Sequence, residues 1–241
     1  MSELRAVVFG ASGGIGAALV AMLQQSDSYC AIHAGARRLP AATSPIVVPF
    51  AFDLADEASI AQAASEIGAA GPLDLVIVAT GMLHGDWPNL PEKGWRFLDA
   101  QAMAHVFAVN TIGPALIAKH FLPLMRRDRC SIFAALSARV GSIGDNRSGG
   151  WHSYRASKAA LNMLVRNFAI EFERRNPHGI VVAVHPGTVD TPLSKPFQRS
   201  VPEGRLFSPQ ESATRILATL DELSPLDSGK VFAWNGEEIP F

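Results

Sequence analysis

Ala6-Val7-Val8-Phe9-Gly10-Ala11-Ser12-Gly13-Gly14-Ile15-Gly16 decides how the rest of the chain is read. A short apolar run stops at Gly10, four glycines fall within seven positions, and from Gly14 to Leu23 apolar and small residues take helical spacing. A strand that feeds a glycine-rich turn opening a helix lets the backbone close on a pyrophosphate. Glycine removes the Cβ that would stand in the way, and the helix N-terminus offers free N–H groups and a partial positive charge. The strand before and the helix after separate this turn from a bare cluster of glycines. Gly10, Ser12, Gly13, Gly14, Ile15 and Gly16 are therefore the expected phosphate-binding residues.

Outward from that turn, strand and helix patterns alternate to the end of the chain. Strand-like runs occupy Tyr29–Ala34, Ile46–Phe52, Leu75–Val78, Ser131–Leu136, Ile180–Val184 and Lys230–Trp234. Helical patterns occupy Asp56–Ala69, about 100–126, Trp151–Arg175 and 209–223, the last opened by Ser208-Pro209. The wholly apolar Leu75-Val76-Ile77-Val78 is what a strand buried on both faces requires. The expectation is an α/β fold: a Rossmann-type doubly wound parallel sheet of about seven strands with helices on both faces. Pro186–Pro209, with five prolines in 24 residues, reads as a loop or lid, and residues 1–241 as a single domain.

Composition narrows the function. The chain has 241 residues, 48% hydrophobic and 18% charged, with a formal charge of −1. That composition supports a large core and no global field for nucleic acid or an anionic membrane. Cys30 and Cys130 are too few for a disulfide framework or a four-thiolate zinc site, and point to a reducing compartment. The opening Met1-Ser2-Glu3 does not read as a signal peptide, and no stretch reaches 18 apolar residues. A cytoplasmic protein is expected. The histidines His33, His84, His105, His120, His152, His178 and His185 form no close ligand pair, so no metal site is expected.

Two further patterns carry chemistry. No Asp or Glu lies between Asp27 and Asp53, where an acid would accept from the ribose 2′-hydroxyl of NAD; Gly35-Ala36-Arg37-Arg38 stands there instead. A guanidinium pairs a 2′-phosphate, so NADP(H) is favoured over NAD(H), with Arg37 the first candidate and Arg38 the second. Tyr154-Arg155-Ala156-Ser157-Lys158 places a phenol and an amine on one helical face, one turn apart. An ammonium beside a phenol is expected to lower the phenol's pKa and fit it for proton transfer.

The G-x-x-x-G-x-G turn followed, about 140 residues later, by Y-x-x-x-K resembles the short-chain dehydrogenase/reductase family over most of the chain. Phe9 stands where that family usually has Thr. Leu136–Asn146 together with Tyr154–Lys158 looks like the family's C-factor and carbonyl-reductase-like branch. The resemblance implies a sheet in the order 3-2-1-4-5-6-7. It also implies that Asp53 and Leu54 lie at the adenine, that Ala79-Thr80-Gly81 lie under the cofactor, and that Pro186, Gly187, Val189 and Thr191 lie over the nicotinamide. Lys158 would also bond the ribose, Asn110 would hold a proton relay, and a hydroxyl near the end of the fifth strand would position the substrate oxygen. Counting back from Gly141 puts Ala138 at that last slot and Ser137 one place early. Ser137 is the expected hydroxyl, with Ser142 or none as the alternatives.

These readings converge on an NADP(H)-dependent oxidoreductase of the EC 1.1.1.- type. It would move hydride between nicotinamide and a small carbonyl or secondary alcohol, with Tyr154 as acid–base. The rival is a catalytically inactive dinucleotide-binding sensor or C-factor-like signalling protein. The resemblance also implies a homo-oligomer, a dimer or tetramer.

Overall fold

The computed structural model describes residues 4–39, 42–83 and 90–241; Met1-Ser2-Glu3 and His84 lie outside them. Seven strands form one parallel sheet: β1 (Leu4–Phe9), β2 (Tyr29–Ala36), β3 (Val47–Ala51), β4 (Leu75–Val78), β5 (Ser131–Leu136), β6 (Gly179–His185) and, last in the chain, Val231–Ala233. Their spatial order is β3-β2-β1-β4-β5-β6 and then Val231–Ala233, as the family resemblance implies. Alternate residues feed two cores, as strand geometry demands. Val7, Phe9, Val76, Val78, Phe133, Val181 and Val231 pack under α2 (Glu57–Gly68), α4 (Gly113–Phe121) and α5 (His152–Glu173). Val8, Ile77, Ala134, Val182 and Phe232 pack under α1 (Gly14–Gln25) and α6 (Pro209–Asp221).

Three departures bear on the site. The long helix expected near 100–126 is α3 (Ala100–Phe107), a π-helical turn over Ala108–Ile112, and α4, closed by a 3₁₀ turn at Leu122–Leu124. Taken as one run, Ala100–Leu124 is long and apolar enough to span a membrane, with mean hydropathy 1.2, but Ile117, Ala118 and Phe121 bury one of its faces in the sheet's core. The proline-rich stretch is not all loop. It contains β7 (Thr188–Val189) and β8 (Leu206–Phe207), a small parallel pair beyond the main sheet, with a 3₁₀ turn at Lys195–Ser200 between them; Val231–Ala233 is then β9. Finally, Trp151 is not the first residue of α5 but its N-cap. Its φ of 50° is the one left-handed value at a non-glycine position among the described residues.

Candidate active site

The carboxyl ends of β1, β4, β5 and β6 open into a cleft of about 430 Å³. Gly10, with φ 85°, sets its backbone against that of Ala79 in the lining; a Cβ there would lie 3.1 Å from the Ala79 carbonyl. A Cβ on Gly16 would stand 2.1 Å from the Gly10 oxygen, so only glycine lets α1 start this close to the strand. Gly10 and Ala11 N–H bond Gly35 O, and Gly13 N–H bonds Gly10 O. No side chain caps α1 at Gly13, which leaves its first-turn N–H groups facing outward beside exposed Ser12 and Gly14. Ile15, Ala79, Thr80 and Gly81 line the cleft, and Thr80 Oγ1 is buried with no partner among the described residues. An uncapped helix start, a glycine cradle and an unmet hydroxyl are what a pyrophosphate-bearing dinucleotide would occupy.

Where the family usually has Thr, Phe9 is fully buried and meets Phe50, Phe52 and Phe121 edge-on, with ring centroids 5.5, 4.9 and 4.8 Å away. The lost hydroxyl is replaced by an aromatic cluster that ties β1 to β3 and α4. Asp56 caps α2, its carboxylate accepting from Ala58 N–H at 3.0 Å. Asp53 instead accepts from Ala55 N–H at 2.9 Å and, with Arg37, lines a separate groove beside β3. Leu54 packs against Gly113. Arg37 and Arg38 are both exposed beyond β2 and have no ion pair among the described residues.

Tyr154 and Lys158 both face the cleft from the first turns of α5. Lys158 is 3% exposed. Its Nζ donates to Leu136 O at 2.7 Å and stands 5.9 Å from the centre of the Tyr154 ring. Burial pushes the Tyr154 phenol up to about 12 and the Lys158 amine down to about 8. The expected acidification of the phenol is therefore not met in the protein as it stands. Desolvation outweighs the neighbouring amine, whose hydrogen bond is directed at a carbonyl.

Asn110 lies inside the π turn, fully buried. Its amide donates to Met82 O at 2.8 Å and Ser157 Oγ at 3.0 Å, and its oxygen accepts from Met82 N–H at 2.9 Å. A Cβ at Gly81 would lie 3.6 Å from both Asn110 Oδ1 and Lys158 Nζ, so amide and amine flank the same backbone.

Ser137 lines the cleft, but its hydroxyl donates to Asn162 Oδ1 at 2.7 Å, on the α5 side of the sheet. Ala138 also lines the cleft and brings no hydroxyl. Ser142 is buried and accepts from Asp145 N–H at 3.0 Å, away from the lining.

Pro186, Gly187, Val189 and Thr191 close the opposite wall. Trp151 and Phe197 also line the cleft, their centroids 4.9 Å apart, with Trp151 edge-on to Tyr154. His185 lines it as well; burial first, then Arg139, pushes its imidazole down to about 4. His152, the other histidine near the site in sequence, is not in the lining.

Reading the sequence alone does not find Glu92, which anchors the start of α5. Its backbone oxygen accepts from Trp151 N–H at 2.6 Å, and its carboxylate accepts from Ser153 N–H at 3.3 Å and from the Ser153 hydroxyl. Trp151 has no side-chain oxygen to cap the helix, so a carboxylate 61 residues upstream does so. Asn162, the partner of Ser137, is equally invisible without the fold.

The C-signal protein of Myxococcus xanthus is 34% identical over 172 residues, covering 71% of this chain and 94% of that one. A Rhodococcus protein, 1-hydroxy-2-glutathionyl-2-methyl-3-butene dehydrogenase, is 32% identical over 190 residues, 78% of each chain. The NADPH-bound carbonyl reductase from chicken fatty liver superposes with a TM-score of 0.84 at 26% identity, each chain covered completely. The family model for short chain dehydrogenase matches residues 5–201. With the turn, the tyrosine–lysine pair and the sheet order all in place, the chain belongs to the short-chain dehydrogenase family, alongside C-signal.

Proposed function

We propose that this protein is an NADP(H)-dependent oxidoreductase that reduces a small carbonyl compound or oxidises the matching secondary alcohol. The observation that carries the reading is the convergence of Tyr154, Lys158 and the Asn110-flanked backbone of Gly81 on one cleft at the mouth of the glycine turn. A bound nicotinamide supplies or takes up hydride. The α1 N-terminus and Thr80 would hold its phosphates and sugar; Pro186–Thr191 would cover the ring. With its pKa near 12, Tyr154 stays protonated at neutral pH and gives its proton to the carbonyl oxygen, which suits reduction. Lys158 and Asn110, on either side of the Gly81 backbone, are assigned to return a proton to it. Ser137 is assigned to orient the substrate oxygen.

Arg37, exposed just after β2, without an ion pair among the described residues and sharing a groove with Asp53, supports the 2′-phosphate and hence NADP(H). Exposed, free Cys30 and Cys130 fit a reducing, cytoplasmic setting. Exposed Ile112, Met163 and Ile170 fit pairing through the π turn and α5 into a dimer or tetramer. One observation favours the second reading, a C-signal-like protein without turnover: the Ser137 hydroxyl is held by Asn162, and Ala138 offers none.

NADPH consumption with a panel of aldehydes and ketones separates the two. Turnover that drops roughly 10²–10⁴-fold in Tyr154→Phe is the expected result. Turnover unchanged in that variant refutes the mechanism, and none at all with any carbonyl favours the signalling reading. Arg37→Ala should erode the preference for NADPH over NADH; an unchanged preference overturns the 2′-phosphate assignment.

A further inference from the structure

Next to the catalytic cleft lies a second recess of about 340 Å³, and Arg139, His185, Gly187, Thr188 and Arg205 line both. The two compartments differ in chemistry. Around Tyr154 the walls are Val140, Trp151, Leu193, Phe197 and Val201. Around the recess they are Arg139, Arg205, Asn235 and Glu237, backed by Phe207 and Trp234.

The lining of the recess carries two guanidiniums and one carboxylate, Arg139, Arg205 and Glu237. Arg139 is answered by Asp145 at 3.2 Å and Glu237 at 3.0 Å. Arg205 has no ion pair and no side-chain hydrogen bond among the described residues; only its backbone N–H is engaged, by Pro202 O. His185 is held neutral at pH 7, and its Nδ1 is buried without a partner among the described residues. Behind the aromatic wall a third guanidinium, Arg215, lies 4.7 Å from the Phe207 ring centre and 4.5 Å from that of Trp234. It stiffens the wall and adds positive potential. Glu237, the one carboxylate in the recess, is bound to Arg139 and leaves Arg205 uncompensated.

We propose that the carbonyl substrate is an acid, its carboxylate docking on Arg205 in this recess while its apolar body spans the cleft to Tyr154. The proposal rests on the oxidoreductase reading above. A guanidinium takes a carboxylate through two parallel charge-assisted hydrogen bonds, which a neutral ester does not offer. A neutral carbonyl compound would leave Arg205 facing the recess without a counter-ion.

The test uses 4-formylbenzoate and the longer 4-(4-formylphenyl)butanoate, each against its methyl ester. Affinity is read by titration calorimetry, with the protein free and loaded with NADP⁺; turnover is read with NADPH. At least one acid should bind roughly tenfold or more tightly than its ester, with KM following. In Arg205→Ala the acid-to-ester ratio should fall to about one, and Arg205→Lys should keep part of it. Arg205 is exposed and has no side-chain partners, so its loss does not endanger folding. Acids that bind no better than their esters overturn the proposal, as does a preference that survives Arg205→Ala. Tight acid binding lost in Arg205→Ala with no reduction of any aldehyde would uphold the anion site and refute the oxidoreductase reading. Reduction without preference for acids would do the reverse.

Discussion

Tyr154 and Lys158 show how burial and partnership compete at single side chains. The two are one turn apart, yet desolvation shifts each toward its neutral form: the phenol moves up to about 12 and the amine down to about 8. The consequence is a pH profile. Reduction needs a protonated phenol and is helped by a charged amine beside it. As pH rises, Lys158 loses its proton first, near 8, while Tyr154 keeps its own. Initial rates of NADPH consumption should therefore be level through neutrality and fall above about pH 8. In Lys158→Met the break should vanish and the rate at pH 7 should drop by roughly 10²-fold. A break that persists in that variant would assign it to another group. The Y-x-x-x-K spacing was enough to find this pair, because four residues on a helix fix which side chains are neighbours. It was not enough to give the sign of the shift, because desolvation depends on what covers α5. The direction of the Ser137 hydroxyl was hidden for a related reason. Ser137 follows the last residue of β5 and lines the cleft, but only the fold brings Asn162 within reach of its hydroxyl.

At the scale of elements, the start of α5 positions the proposed acid. Gly149, Gly150 and Trp151 take left-handed φ values of 62°, 66° and 50° in succession, and the helix begins directly after them. A tryptophan pays for that conformation, and its ring stands against Tyr154 and Phe197. Glu92 offsets part of the cost by capping the helix through Ser153. Glu92→Ala should lower stability by about 1 kcal/mol, a loss of roughly 2–4 °C in Tm. An unchanged thermal midpoint would mean that the cap contributes nothing. Sequence patterns found α5 and the strands because burial imposes a period of 3.6 or 2 on apolar residues. They merged α3, the π turn and α4 into one helix, since a single wider turn barely disturbs that period. That turn carries Asn110 to α5, where its amide reaches Ser157 Oγ at 3.0 Å. β7 and β8, at two residues each, are too short to show any period and hide among prolines.

Across the molecule, the sheet's opposite end from the cleft is held by a buried polar knot. Arg5, 6% exposed, donates to Ile67 O at the end of α2 at 2.9 Å and to Gly71 O just beyond it, and its guanidinium lies 3.2 Å from His33 Nε2. A guanidinium only donates, so His33 accepts there and is neutral. Burial first, then Arg5, pushes His33 down to about 4. His185, at the cleft end, is likewise pushed to about 4. In the unfolded chain both would titrate near the ordinary value of 6.5. Between pH 6.5 and 4 the unfolded state thus binds protons that the native state refuses, so stability is full above that window and declines as pH falls through it. His33→Gln keeps an acceptor for Arg5 and removes one of the two titrations. Urea midpoints at pH 7.5 and pH 4.5 should show the wild type losing more stability than the variant, by about 2 kcal/mol. Equal losses in the two proteins would show that His33 is protonated in the native state, and that the knot at this end of the sheet is looser than its geometry indicates.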